Sequence, residues 1–220
     1  MVRFTEEAGI VPHFAREEAE RRHQYYLGPE HLLLGLLVGD DNPAARALRA
    51  HGLDAETVRA GIDRLVAEGV LPGPQPSDAE LLATLGIDLD AVMARLKESF
   101  GWEAYYYAAQ RVQLRPAQPF PHAPGAGTPL ICWRVFRFAA EEAAARGEDA
   151  TPAHWLLALL RDAEDPVEVT TSRYPMDRRG RAMFGLPDRG PGPVRLLVES
   201  QGLTLDHLRA AVLAELDQTR

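Results

Sequence analysis

Val58, Ile62, Leu65 and Val66 recur at helical spacing between Asp54 and Gly69, and the same rhythm returns at Leu205, Leu208, Val212 and Leu216. Between such stripes stand paired cap and proline signals: Gly28-Pro29, Asn42-Pro43, Thr128-Pro129 and Thr151-Pro152. In the first block they predict a helix from about Thr5 to His23 with Thr5 as N-cap, a second after Gly28, a third from Asn42 to Gly52 and a fourth opening on Asp54. Pro12 should kink the first helix or delay its start. The second carries Leu32, Leu33, Leu34, Leu36 and Leu37 and keeps almost no polar face, the mark of a buried helix.

This punctuation is duplicated. FAREEAERRHQYYLGPEHLLLGLL at 14–37 aligns with FAAEEAAARGEDATPAHWLLALL at 138–160 with one deletion, and LRAHGLDAETVRAGI at 48–62 aligns with VESQGLTLDHLRAAV at 198–212 without a gap. The offset grows from 123 at His31 and His154 to 150 at Gly52 and Gly202, so the second copy holds about 27 extra residues after its central helix. The expected fold class is all-α: two pseudo-symmetric four-helix repeats, 1–70 and 128–220, packed as one domain. A helical insert with a Pro-rich linker separates them at 71–127, and a long loop, 162–192, interrupts the second repeat.

Within the insert, Ser77-Asp78 signals an N-cap before Leu81 and Leu82. Asp88 or Asp90 starts a helix through Val92, Met93, Leu96 and Phe100 that ends at Gly101. Trp102, Tyr105, Tyr106 and Tyr107 read as a lid on the repeats, and Pro116, Pro119, Pro121 and Pro124 as irregular linker. Thr128-Pro129 opens the first helix of the second copy, and Val167 to Thr171 reads as a short extended piece.

Composition narrows the chemistry. The chain has 220 residues, 46% of them apolar and 25% charged, as in ordinary folded globular proteins. Among 24 basic residues Lys97 is the single lysine, and Glu98 follows it, so a G-x-x-x-x-G-K-[ST] nucleotide loop is excluded. Cys132, between Ile131 and Trp133, reads as a packing thiol. The N-terminus shows no apolar h-region, and the longest apolar stretch, from Leu32 to Val38, falls far short of the ~20 residues of a membrane span. A soluble, cytoplasmic protein without membrane contact is expected, and a net charge of −8 argues against a nucleic-acid partner.

Seven histidines supply no H-E-x-x-H; His31 and His154 occupy equivalent positions and read as hydrogen-bonded core residues. No catalytic residue, metal ligand or cofactor is expected; the enzyme alternative is a small metal-dependent hydrolase built on Glu30, His31 and His154. From Ser172 to Gly190 the local charge reverses, with Arg173, Arg178, Arg179, Arg181 and Arg189 against Asp177 and Asp188. Such a segment suits docking of an acidic or phosphorylated partner.

RFTEEA at 3–8, FAREEAERR, LGPEHLLLGLL and ARALRAHGLD at 45–54 resemble the N-terminal repeat domain of Clp unfoldases, above all the ClpC type. The resemblance is good over 1–69 and fair over 128–161 and 194–217. An unfoldase would continue into ATPase modules, and this chain ends at Arg220, so the resemblance implies a stand-alone relative built of Clp N-type repeats. It implies a non-enzymatic module that recognises peptides, degrons or peptide-like small molecules, as an adaptor or sequestering decoy in Clp proteolysis. The alternative it offers is a regulator binding a Clp unfoldase directly.

The family also suggests site residues. A Phe before the Thr at the start of each repeat borders the surface where cyclic-peptide antibiotics dock; Phe4 precedes Thr5 here, whereas Gly127 precedes Thr128. In some members a G-T-E-H turn in each copy binds phosphoarginine, its Glu holding the guanidinium. Gly28-Pro29-Glu30-His31 keeps that Glu, but Thr151-Pro152-Ala153-His154 does not, so the second phosphoarginine site lacks its acceptor. Both prolines also remove an amide donor. Phe4, Thr5, Glu30 and Thr128 are therefore the ligand-facing positions that the resemblance implies.

Overall fold

The computed structural model describes residues 2–24, 26–39, 41–74, 76, 78–114, 133–164, 167–168 and 189–218. Thr5 is extended and its Oγ1 accepts from Ala8 N at 3.2 Å, capping α1 (Glu6–Arg21). The helix starts at Glu6 and continues through Pro12, so the proline does not delay its start. Gly28-Pro29 opens α2 (Pro29–Val38). Asn42 then does two jobs: its Nδ2 donates to Leu36 O at 3.0 Å, closing α2, and its Oδ1 accepts from Ala45 N at 2.9 Å, starting α3 (Pro43–Ala50). Asp54 caps α4 (Ala55–Ala67) through Thr57 N at 2.7 Å.

Two helices follow, α5 (Asp78–Thr84) and α6 (Leu89–Leu114), with Asp88 Oδ1 accepting from Ala91 N at 3.0 Å. Gly101 breaks α6 where an end was expected, at φ 78° and ψ 162°, a conformation that only glycine adopts without strain. The chain then resumes helix to Leu114, so 102–107, expected to follow the helix end, lie in helical backbone. The side chains of the aromatic lid, the prolines of 116–124, Cys132 and the Thr128-Pro129 signal lie outside the described residues.

The second block consists of α7 (Trp133–Arg146), α8 (Pro152–Glu164), α9 (Pro193–Glu199) and α10 (Leu205–Gln218). Thr204 Oγ1 accepts from His207 N at 3.2 Å, capping α10 as its sequence requires. The extended piece expected near Val167 is strand β1 (Val167–Glu168), which pairs antiparallel with β2 (Arg189–Gly190) in the register Val167↔Gly190 and Glu168↔Arg189. This two-residue ladder pins the base of the inserted loop.

Among the described residues the fold is helical apart from that clip, with α2 and α8 at its centre. Leu32, Leu33, Leu34 and Leu36 are buried in α2, and Trp155 through Leu160 in α8. Small residues let α1 lie close on α2. A Cβ on Gly35 would stand 2.5 Å from Val11 O and 3.0 Å from Ala15 N, so residue 35 must be glycine for this approach. In the second block α7 packs on α8, where Ala158 takes the place of Gly35.

The two blocks exchange partners. α3 packs on α10, and α9 packs on α4 and α2, so the third helix of each block covers the fourth helix of the other. One continuous cluster of buried side chains, from Ala8 and Val11 to Val212 and Leu216, spans both blocks.

Candidate functional site

Three residues before α1 run alongside the turn between α7 and α8. Thr5 N donates to Ala150 O at 2.9 Å, Ala150 N donates to Arg3 O at 2.8 Å, and Phe4 and Ala150 form a parallel bridge. The Asp149 carboxylate accepts from Arg3 N and from Arg3 Nη2, each at 3.3 Å. This pairing fixes the Phe4 backbone, and so aims its ring. The ring lies 5.4 Å from that of buried Trp155, which meets Phe136 edge-on at 4.4 Å. Phe4 nonetheless remains 37% exposed. The result is a ring lying on an aromatic floor with one side open to solvent.

Trp155 is held by a defect in α1. Proline has no N–H, so Pro12 cannot serve the Ala8 carbonyl four residues earlier. Trp155 Nε1 donates to that carbonyl at 2.9 Å. The lost helical bond is thus replaced from the other block, which explains why α1 accepts a buried proline.

The starts of α2 and α8 form a second pair of equivalent places. His31 Nδ1 accepts from Gly28 N at 3.1 Å, its Nε2 donates to Gln24 Oε1 at 2.9 Å, and Gln24 Nε2 donates to Pro72 O at 2.8 Å. The bonding requires a neutral ring, and burial, aided by the nearby Arg22 charge, lowers the His31 pKa to about 3. The 3.6 Å approach of Glu30 Oε1 to His31 Nδ1 is therefore no ion pair. Glu30 is 1% exposed, and its carboxylate folds back over Gly28, occupying the space that a Cβ there would need.

In α8, His154 Nδ1 accepts from Thr151 N at 3.1 Å and lies 2.9 Å from Thr151 Oγ1. Its Nε2 stands 3.6 Å from Glu148 Oε2, where the first block has Gln24. Burial lowers the His154 pKa, although Glu148 pulls it the other way. Each histidine caps the backbone one turn before itself, as the core reading expects. Ala153 is buried beside His154 and brings no acceptor.

A charged cluster lies between α1 and α4. Buried Glu18 accepts from two Arg59 nitrogens, Nη2 at 2.7 Å and Nε at 3.0 Å, and from Arg21 Nη1 at 2.8 Å. The hydrogen bond from Arg59 holds the Glu18 carboxyl below its usual range against the opposing effect of burial. Arg22 bonds the Asp63 carboxylate and donates to Arg59 O at 3.1 Å. Sequence reasoning missed this pair, 41 residues apart, because neither residue belongs to a motif. It also missed the bond of Trp155, whose only advance signal is a proline in the middle of a helix.

Phe4 and Thr5 are thus neighbours on one edge, while Glu30 is buried at the start of α2. Thr128 and loop residues Arg173, Arg178, Arg179 and Arg181 lie outside the described residues. Among the described residues, no three His, Cys, Asp or Glu side chains converge on a point that could hold a metal. No described helix is long and apolar enough to cross a membrane.

Comparison with known proteins adds a partial match. Residues 3–84 match the Clp repeat (R) N-terminal domain. That match takes in fewer than half of the residues, so it is this segment that is similar to the Clp domain. Over 67 residues it is 42% identical to a probable ATP-dependent Clp protease ATP-binding subunit of Chlamydia pneumoniae. It is equally similar, over the same length, to the negative regulator of genetic competence ClpC/MecB of Bacillus subtilis. Each match takes in 30% of this chain and 8% of the relative, so the chain spans less than a tenth of the length of these curated relatives. The solved N-terminal domain of the chaperone ClpD from Arabidopsis thaliana is 17% identical, with a TM-score of 0.48 over 98% of this chain and 95% of that one.

Proposed function

We propose that the chain is a binding module that takes up a hydrophobic peptide, degron or peptide-like small molecule at the Phe4 edge, as an adaptor or sequestering decoy in cytoplasmic Clp proteolysis. The single observation behind this is the Phe4 ring, half-open above Trp155 and Phe136 and fixed by backbone pairing to Ala150. A pre-positioned aromatic binds with little ordering cost, because its own backbone is already held. In this reading Thr5 and Thr128 mark the two repeat starts, and 1–70 with 128–220 act as one receptor divided by the insert 71–127.

The test is titration with a ClpC-directed cyclic peptide. Phe4→Ala should weaken binding about tenfold, or about 1.4 kcal/mol, with an unchanged circular dichroism spectrum. Equal affinity for Phe4→Ala and wild type would sink the proposal. Glu30 is buried and Ala153 has no carboxylate, so free phosphoarginine should not compete with the peptide; competition abolished by Glu30→Ala would instead assign the site to phosphoarginine. The arginines at 173, 178, 179 and 181 are proposed as a separate docking loop for an acidic partner. Deleting 172–190 should then remove binding to a polyglutamate peptide while leaving the cyclic peptide bound; retained polyglutamate binding would refute the docking loop.

A further inference from the structure

Helices need something to bury against, and the first insert provides little. Among the described residues from 72 to 101 none is buried, and α5 and α6 pack chiefly on each other. Along α6, Val92, Leu96 and Phe100 follow at four-residue spacing and are 43%, 40% and 68% exposed. Leu89 and Met93 fall on the same stripe, and Leu85 and Ile87, both exposed, extend it across the turn from α5. A stripe of this width is the core-facing side of an amphipathic helix, here facing solvent. Most short helices in proteins owe their stability to such packing rather than to propensity.

The charges around the stripe are ordered. Asp88 and Asp90 stand at the N-terminal end, and Arg95 and Lys97 stand toward the C-terminal end, where Arg95 also reaches Glu98 at 3.5 Å. Asp90 and Lys97 are seven positions apart, two helical turns, and therefore lie on the same flank of the stripe. Two such helices laid antiparallel bring each Asp90 beside the other's Lys97, once on either side of a twofold axis. Parallel pairing would set like charge against like.

We propose that the α5–α6 hairpin is a self-association surface, on which a second copy of this chain pairs antiparallel through Val92, Leu96 and Phe100. The pair is isologous, with Phe100 of one copy covering Leu85 and Ile87 of the other. Gly101 ends the seam by turning the helix away.

The experiment is sedimentation velocity on the full chain from low micromolar to several hundred micromolar. A reversible monomer–dimer equilibrium is expected. Leu96→Glu should raise the dissociation constant by about tenfold or more without loss of helical signal, since the residue lies outside the core. Asp90→Lys should weaken the dimer several-fold, and Asp90→Lys combined with Lys97→Asp should restore it. A monomer throughout the range, as when residues 102–132 or another protein cover the stripe, would overturn the proposal. So would a dimer indifferent to Leu96→Glu, and indifference to Asp90→Lys alone would overturn the antiparallel order.

Discussion

Pro12, Ala8 and Trp155 form one energetic unit although 147 residues separate its ends. Replacing Trp155 by Phe keeps most of the ring but leaves the Ala8 carbonyl buried without a donor, which should cost about 1–3 kcal/mol in urea unfolding. In a Pro12→Ala background the helix regains its own donor, and the same change should cost measurably less; equal costs in the two backgrounds would show that the indole bond has no such role. His31 gives a residue-scale prediction in pH. Its folded pKa of about 3 lies below the unfolded value near 6.5, so between these limits the unfolded state binds more protons. Stability should therefore fall as pH drops from 7 toward 4, by up to ~1.4 kcal/mol per unit from this group. Burial depresses the His154 pKa as well, which acts in the same direction. His31→Gln should flatten the slope of unfolding free energy against pH, and an unchanged slope would remove His31 as its source.

Elements were legible wherever a cap and a stripe coincided. Thr5, Asn42, Asp54 and Thr204 each begin the helix their side chains announce, because an N-cap acts over three residues and can be read locally. The helix after Gly101 was not legible, since glycine and nearby prolines suggest an end and nothing local reveals that the chain resumes its turns. The contacts of α1 were also hidden: its amphipathic pattern indicates a buried face without saying that a backbone lies against it. That close approach makes Gly35 the sensitive position of α2. Gly35→Ala should lower stability by about 1–3 kcal/mol through overpacking against Val11 and Ala15, despite the better helix propensity of alanine. A gain in melting temperature would mean that α1 can shift away freely.

For the molecule as a whole, the duplication is written in the sequence but the exchange of partners is not. Sequence gives the order of helices, whereas the placement of α3 on α10 and α9 on α4 depends on which apolar stripes fit across the blocks. The candidate site shows the same division. Phe4 was named from its motif, but its floor of Trp155 and Phe136 comes from the second block and exists only after docking. A shared core predicts one cooperative transition, with circular dichroism and tryptophan fluorescence coinciding in urea; two separated transitions would mean that the blocks are independent domains.

The proline in α1 also has a consequence in time. Synthesis proceeds from the N-terminus, so the Ala8 carbonyl is made early and its donor, Trp155, much later. While the ribosome is still adding the intervening residues, the first four helices carry an unanswered acceptor and an uncovered α4. The fold of the first block is thus complete only once the second block has been made and supplies the Trp155 donor and the α9 cover over α4.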